Sequence, residues 1–292
     1  GSIVLAHAQD RKEIQLLRQQ LTSIGIDKFE ELTPARLQYL EPDLSNFNNG
    51  LYFPEEGHID NRQLLLTLQE YLNKKESFTI HYQTEISHLE PFVVNTLDRS
   101  YKFDWVIDCR GLGAKNDNNK LRGVRGETAW IQANDVNITR PVRLMHPRHQ
   151  LYLVPKSNNI YVVGATSIES DSKNNITLRS ALELLTTAYS LNSSFAEAEI
   201  LDLQVGVRPA LLDNLPKISY KQGLVCIHGL YRHGFLIAPA ITTQVVAILN
   251  RSPILYPEIT SILLSSIVGA GNSLGSSKPL IAISYACDRL HF

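Results

Sequence analysis

What most restricts the fold of this chain is the way its hydrophobic period changes along its length. Between Asp10 and Ile24 (DRKEIQLLRQQLTSI), Ile14, Leu17, Leu21 and Ile24 recur at helical spacing, and Gly25 supplies a stop. Thr33 at N-cap and Pro34 at N1 open a second, short helix. Residues 45–57 carry turn chemistry and read as a loop, after which Asp60 caps a helix through Leu72 with Leu64, Leu65, Leu68 and Leu72 on its apolar face. From 78 to 108 the period falls to two. FTIHYQTEI alternates, and FVVNTLDRSYKFDWVID reads as a hairpin around Asp98-Arg99-Ser100 that runs into the strand WVID. ETAWIQA, VRLMH, LYLVPK and IYVVGAT continue the strand pattern, and EILDLQVGVRP and LVCIHG follow later. Helices over about 177–190, capped by Thr177, and from Pro239 to Asn250 complete the core elements. The two periods mix without regular βαβ alternation, so the expected fold class is α+β (mixed α/β).

Size and charge then narrow the function. At about 150 residues per domain, 292 residues suggest one large domain or two ordinary ones. The 28 Lys+Arg against 29 Asp+Glu leave no basic excess for a nucleic-acid footprint, so a small molecule is the expected partner. Cys109, Cys226 and Cys287 are too scattered for a disulfide framework or a zinc site, which suits a reducing cytoplasm. No apolar run approaches the roughly 18 residues of a membrane span. The chain opens on Gly1-Ser2 with no Met and no leader pattern, which reads as an internal start. The 251–292 tail, rich in Ser with weak periodicity, is atypical of the rest.

Four segments carry candidate chemistry. The first is Gly206-Val207-Arg208-Pro209 with Gly229-Leu230-Tyr231-Arg232-His233-Gly234-Phe235-Leu236. Glycines around an aromatic-Arg-His run let backbone approach a flat ligand, and Arg208 offers a planar fork for a carboxylate. A glycine-bounded turn with two surface arginines is the alternative. The second is Tyr152 and Tyr161 on neighbouring strands, which can direct hydroxyls into a pocket or simply fill half-buried strand positions. The third, Asp108-x-x-Gly111-x-Gly113, follows a strand as a nucleotide-binding turn does, though a plain turn fits as well. The fourth, Ile267-Val268-Gly269-Ala270-Gly271-Asn272-Ser273-Leu274-Gly275, begins like a dinucleotide fingerprint, but its third Gly comes one residue late and Pro279 leaves little room for a helix. His146-x-x-His149 is the closest approach to metal-ligand spacing, and no metal is expected.

In order and rough spacing these pieces, joined by Gly57-His58-Ile59-Asp60-Asn61-Arg62-Gln63-Leu64 and Arg122-Gly123-Val124-Arg125-Gly126-Glu127, resemble the flavin-dependent amine oxidases of the D-amino-acid oxidase superfamily, glycine oxidases in particular. The resemblance runs from about residue 3 to 250. It implies two interleaved domains: an incomplete Rossmann-like FAD domain over about 57–126 and 205–250, and an antiparallel-sheet substrate domain over about 3–56 and 127–204. It implies FAD as cofactor and a small amino acid and oxygen as substrates, giving a 2-oxo acid, ammonia and hydrogen peroxide within thiamine biosynthesis. Homo-oligomer formation is a further expectation. Arg208 and Tyr152 would take the substrate carboxylate, with Arg232 at the mouth. Glu85 and Ile86 would meet the adenine end of the cofactor, Gly111 and Gly113 its backbone, and His233, Gly234, Phe235 and Leu236 the flavin pyrimidine edge. The family's opening strand, Gly-x-Gly-x-x-Gly turn and helix have no counterpart ahead of residue 3. The alternatives are a catalytically inactive remnant that binds a ligand or partner on the same fold, and a permuted fingerprint at Gly269–Gly275.

Overall fold

The computed structural model describes residues 1–147, 150–263 and 281–285, with backbone alone at 150 and 281–285. Cys287, His149 and the Gly269–Gly275 segment lie outside them. In chain order the first strands are β1 Ser2–Ala6, β2 Glu30–Leu32, β3 Gly50–Phe53, β4 Ile86–Glu90, β5 Val93–Thr96, β6 Ser100–Lys102 and β7 Trp105–Cys109. They continue with β8 Arg122–Gln132, β9 Val142–Met145, β10 Gln150–Pro155, β11 Ile160–Gly164, β12 Ile168–Glu169 and β13 Glu199–Ala210. The last are β14 Lys217–Lys221, β15 Leu224–His228, β16 Thr260–Ile262 and β17 Ile281–Tyr285. The helices are α1 Arg11–Ser23, α2 Pro34–Leu40, α3 Asn61–Asn73, α4 Leu178–Leu191 and α5 Gly234–Leu249.

The helices begin where local chemistry places them. Thr33, Asp60 and Thr177 accept the backbone N–H of Arg36, Gln63 and Ser180, satisfying donors that a helix start leaves open. Gly25, at φ +76°, ends α1 in the left-handed region that glycine enters freely. Two expectations fail. Residues 78–85 are not a strand; extended pairing starts at Ile86, because Gln83 sits at φ +51° and the Thr84 hydroxyl donates to the Tyr82 carbonyl, turning the chain. Alternation cannot make a strand of a segment with no partner. The last helix also begins five residues before Pro239, at Gly234. Pro239 leaves the Phe235 carbonyl without its intrahelical donor, which is tolerable there because Phe235 lies at the exposed helix start.

Three sheets organise the described residues. The largest runs β12-β8-β11-β10-β9-β1-β3-β2, with β13 on the other side of β8, and only its β1–β9 contact is parallel. Side chains alternate between its two faces, apart from a bulge in β13 between Ile200 and Asp202. Leu144, Leu151, Leu153, Ala129, Ile131 and Val163 turn to one face, where α4 buries Leu184, Ala188 and Leu191 against them. The opposite face carries Arg143, Tyr152, Gly164, Thr128, Gln204 and Arg208, linked by the registers Arg143↔Tyr152, Tyr152↔Gly164, Gly164↔Thr128 and Thr128↔Gln204. Tyr161 belongs to the α4 side: its hydroxyl donates to the Val136 carbonyl and its ring meets Phe195 edge-on, so it is a core residue.

The second sheet, β16-β14-β15-β7-β17, is parallel except at β14–β15. On one side α5 packs Ile241, Val245 and Ile248 against Ile107, Ile218 and Val225. On the other, the β4-β5-β6 meander packs Val94 against Val106 and Leu224. Strands β8 and β13 run unbroken across residues 126/127 and 204/205, joining the segments that the resemblance divided. Strand β17 pairs along β7 from Ile281↔Trp105 to Tyr285↔Cys109. Among the described residues no helix is long and apolar enough to cross a membrane.

Burial in α4 gives a stability test. Leu184 is fully buried while Leu182, on the same helix, is 56% exposed. Leu184→Ala should cost about 2–5 kcal/mol in urea unfolding, and Leu182→Ala within about 0.5 kcal/mol of wild type. Equal losses would contradict the packing described.

Candidate active site

The mixed sheets bring three distant segments to one place. Pro209, near the end of β13, is the meeting point: the backbone N–H of Tyr231 donates to its carbonyl at 3.1 Å, and Gly111 lies against its ring. Gly111 has φ +56°, so a side chain there would be strained whatever the space. Ser167 and Tyr231 approach within 3.4 Å through their hydroxyls, joining the segment after β11 to the same corner. The segment Gly206–Pro209 is therefore strand interior rather than a turn.

Arg208 and Tyr152 converge on the open face of the large sheet, both half-buried. Arg208 Nη1 donates to the Thr166 carbonyl at 3.2 Å, and no carboxylate of the described residues pairs with it. Burial lowers the Arg208 pKa, and neighbouring Arg232 pushes the same way while Tyr152 and Tyr231 oppose it. Burial raises the Tyr152 phenol, against the pull of Arg208 and Arg232, so it stays a neutral hydrogen-bond donor. Two cations and a neutral hydroxyl lie near one another, with no carboxylate paired to Arg208 among the described residues, an arrangement complementary to a carboxylate. Arg232 itself is exposed.

Beneath this face lies a buried network that sequence reasoning passed over. Glu127 is fully buried; it accepts from Arg125 Nε at 2.8 Å and from the Thr166 hydroxyl at 2.8 Å. Arg125 also donates to the carbonyls of Ser172, Asn174 and Asn175, tying that loop to β8. Burial would raise the Glu127 carboxyl, but hydrogen bonds from Ser180, Thr166 and Arg125 outweigh it and hold the group below its ordinary range. Thr166 thus links the buried ion pair to Arg208 through one residue. The signal was available: Arg125 and Glu127 share a strand face between apolar neighbours, a costly placement unless they pair.

The residues expected at the cofactor fall in three places. His233 lies before α5, offers no side-chain cap and leaves the first N–H groups of Gly234, Phe235 and Leu236 open, with Phe235 and Leu236 46% and 79% exposed. An uncapped helix start flanked by exposed apolar side chains fits the electron-rich edge of a flat ring system. Gly111 and Gly113 form a 3-10 turn at the carboxyl end of β7, where open α/β sheets take ligands. Glu85 is exposed just ahead of β4, and Ile86 opens that strand, packed toward Val94. The structure does not bring these two beside the Arg208 cluster.

Asp108, Cys226 and His228 present donor atoms within 4.8 Å of one another. Arg110 already engages both Asp108 oxygens: its Nε and Nη2 each donate to Asp108 at 2.9 Å, and Nη2 also reaches Asp117 at 2.6 Å. The carboxylate of that group is thus neutralised by a guanidinium, whose fork ties down the turn leading to Gly111.

The family model described as FAD dependent oxidoreductase matches residues 1–247. A Rhizobium etli protein named as a thiamine biosynthesis oxidoreductase is 36% identical over 249 residues, covering 84% of this chain and 70% of the relative. The glycine oxidase of Geobacillus kaustophilus is 24% identical over 265 residues, 86% of this chain and 70% of the relative. The crystal structure of glycine oxidase from Geobacillus kaustophilus superposes with a TM-score of 0.77 at 22% identity, covering 92% of this chain and 75% of that one. Iminodiacetate oxidase from Chelativorans gives 0.76 at 18% identity, covering 91% and 76%. At these identities the structures speak for the fold.

The Glu127 network has a pH signature. A carboxyl whose pKa is depressed on folding contributes stability above its free value of about 4.3, and that contribution is lost as the pH falls through the folded value. In thermal unfolding below about pH 5, wild type should lose stability faster than Glu127→Gln. Parallel curves would remove Glu127 from this account.

Proposed function

The chain belongs to the family of FAD-dependent oxidoreductases, and from that premise we propose that it oxidises glycine or a similarly small amino acid to the 2-oxo acid, ammonia and hydrogen peroxide, as a step of thiamine biosynthesis. The observation that carries the reading is the nearness of Arg208, Tyr152 and Arg232 to one another, with no carboxylate paired to Arg208 among the described residues. That arrangement is complementary to a substrate carboxylate.

The uncapped start of α5 and the Gly111–Gly113 turn fit FAD, and we assign them to its pyrimidine edge and its backbone. When bound, FAD supplies the acceptor for the two electrons removed from the substrate, which oxygen takes up as hydrogen peroxide. The protein's share is placement. Arg208 clamps the carboxylate, Tyr152 donates a hydrogen bond to it, and Arg232 at the mouth favours entry of an anion-bearing substrate. With the carboxylate fixed, the α-carbon and amine have one orientation relative to the α5 start. The imino acid formed then hydrolyses to glyoxylate, or another 2-oxo acid, and ammonia. The free thiols Cys109 and Cys226 support a reducing compartment, and we place the reaction in the cytoplasm.

The test is peroxide release by the FAD-supplemented protein on glycine, sarcosine and D-alanine. Peroxide from at least one is expected; no peroxide together with no flavin uptake would favour a ligand-binding remnant of the same fold. Arg208→Ala should raise KM about 10–100-fold, the value of a charge-assisted hydrogen bond to a carboxylate, with far less effect on thermal unfolding. Unchanged kinetics would take Arg208 out of the site.

A further inference from the structure

Two central strands of the large sheet carry a glycine where glycine weakens pairing and packs nothing: Gly126 in β8 and Gly164 in β11. Neither lies at positive φ. In both cases the space a side chain would take is filled by a group of the carboxylate receptor. A Cβ on Gly126 would overlap Nη1, Nη2 and Cζ of Arg208, the whole end of the guanidinium. A Cβ on Gly164 would come 2.7 Å from both Cζ and Oη of Tyr152, and 2.9 Å from the Thr128 methyl. Real Cβ atoms essentially never come within 3.0 Å of such neighbours, so the guanidinium and the phenol, each the far end of a side chain, would have to move, at little cost to the fold but at the expense of their position.

The registers explain the arrangement. Gly126 faces Gly206 across β8–β13, so Arg208, two residues farther along β13, leans its side chain back over a bare stretch of sheet. Tyr152 pairs directly with Gly164, and its ring lies over that Cα. Each receptor group therefore rests flat on backbone. The Thr166 carbonyl fixes the guanidinium from its edge at 3.2 Å while Gly126 fixes its height.

We propose that Gly126 and Gly164 are positioning residues for the reaction, forming the floor that sets how deep Arg208 and Tyr152 hold a substrate carboxylate. The proposal rests on the assignment of those two side chains to the carboxylate. A methyl group at either glycine lifts its clamp group off the sheet or turns it aside. A displacement of about 1 Å at a clamp is enough to cost on the order of 100-fold in a reaction that depends on orientation. Gly126 acts through Arg208, so its loss should appear mainly in carboxylate affinity. Gly164 acts through Tyr152, with the weaker effect of one neutral hydrogen bond.

The experiment is a double-mutant cycle on the FAD-supplemented protein, reading acetate affinity from the flavin absorbance and thermal stability in parallel. Gly126→Ala should raise the acetate dissociation constant and the glycine KM about tenfold or more, because the guanidinium must move off the added methyl. In the Arg208→Ala background, Gly126→Ala should leave acetate affinity unchanged and should be more stabilising than it is in wild type, because alanine then relieves a weak strand position without meeting the guanidinium. If Gly126→Ala alone fails to fold, the Arg208→Ala/Gly126→Ala protein should still fold. Gly164→Ala paired with Tyr152→Ala repeats the logic on the other strand. Additive effects on affinity and on melting temperature would overturn the proposal. If instead the cycle is coupled in stability while Arg208→Ala binds acetate like wild type, the floor stands and the carboxylate assignment falls.

Discussion

The pairing of β8 with β13 is the constraint on which the site depends. It runs from Glu199↔Gln132 to Ala210↔Arg122, broken once by a bulge between Ile200 and Asp202. That long antiparallel contact carries Arg208 and Gly126 on its open face, and its alternation sends Arg125 and Glu127 into the buried network. At its far end Pro209 receives the Tyr231 turn and Gly111, which brings the second sheet and α5 to the same corner. A slip of one residue would exchange the two faces of β13 and remove the receptor altogether. Register, more than any single contact, is what the site requires.

Polar groups are distributed in keeping with this. Glu127 and Arg125 are buried, but each is fully hydrogen-bonded, so their desolvation is compensated. Arg110 is treated the same way between Asp108 and Asp117. Arg208 is the contrast: half-buried, held by one backbone carbonyl, and without an acidic partner among the described residues. Cations with satisfied partners build the scaffold, while Arg208 keeps donors to spare on the open face of the sheet.

What could be read from the sequence divides along the same line. Thr33, Asp60 and Thr177 were legible as caps because a cap is made within three residues of itself. Arg208 and Tyr152 were legible as candidates by chemistry, but their convergence comes from β8–β13 and β10–β11 registers that no local pattern states. The alternation at 78–85 misled because a strand needs a partner, and the turn at Tyr82–Thr84 removes it. Tyr161 looked like Tyr152 in sequence, yet sits on the opposite face one strand over. Gly126 and Gly164 carried a local signal, a glycine inside a strand, whose reason is a side chain from another strand.

The central claim is that the Arg208–Tyr152 face presents an amino acid to FAD for two-electron oxidation. Its most direct measurement is anaerobic: the FAD-loaded protein is mixed with glycine, with sarcosine and D-alanine in parallel, and the oxidised-flavin absorbance is followed. The account predicts bleaching by at least one of them and recovery on admitting oxygen. A flavin band that stays unchanged with all three, in protein that has retained its FAD, would contradict it.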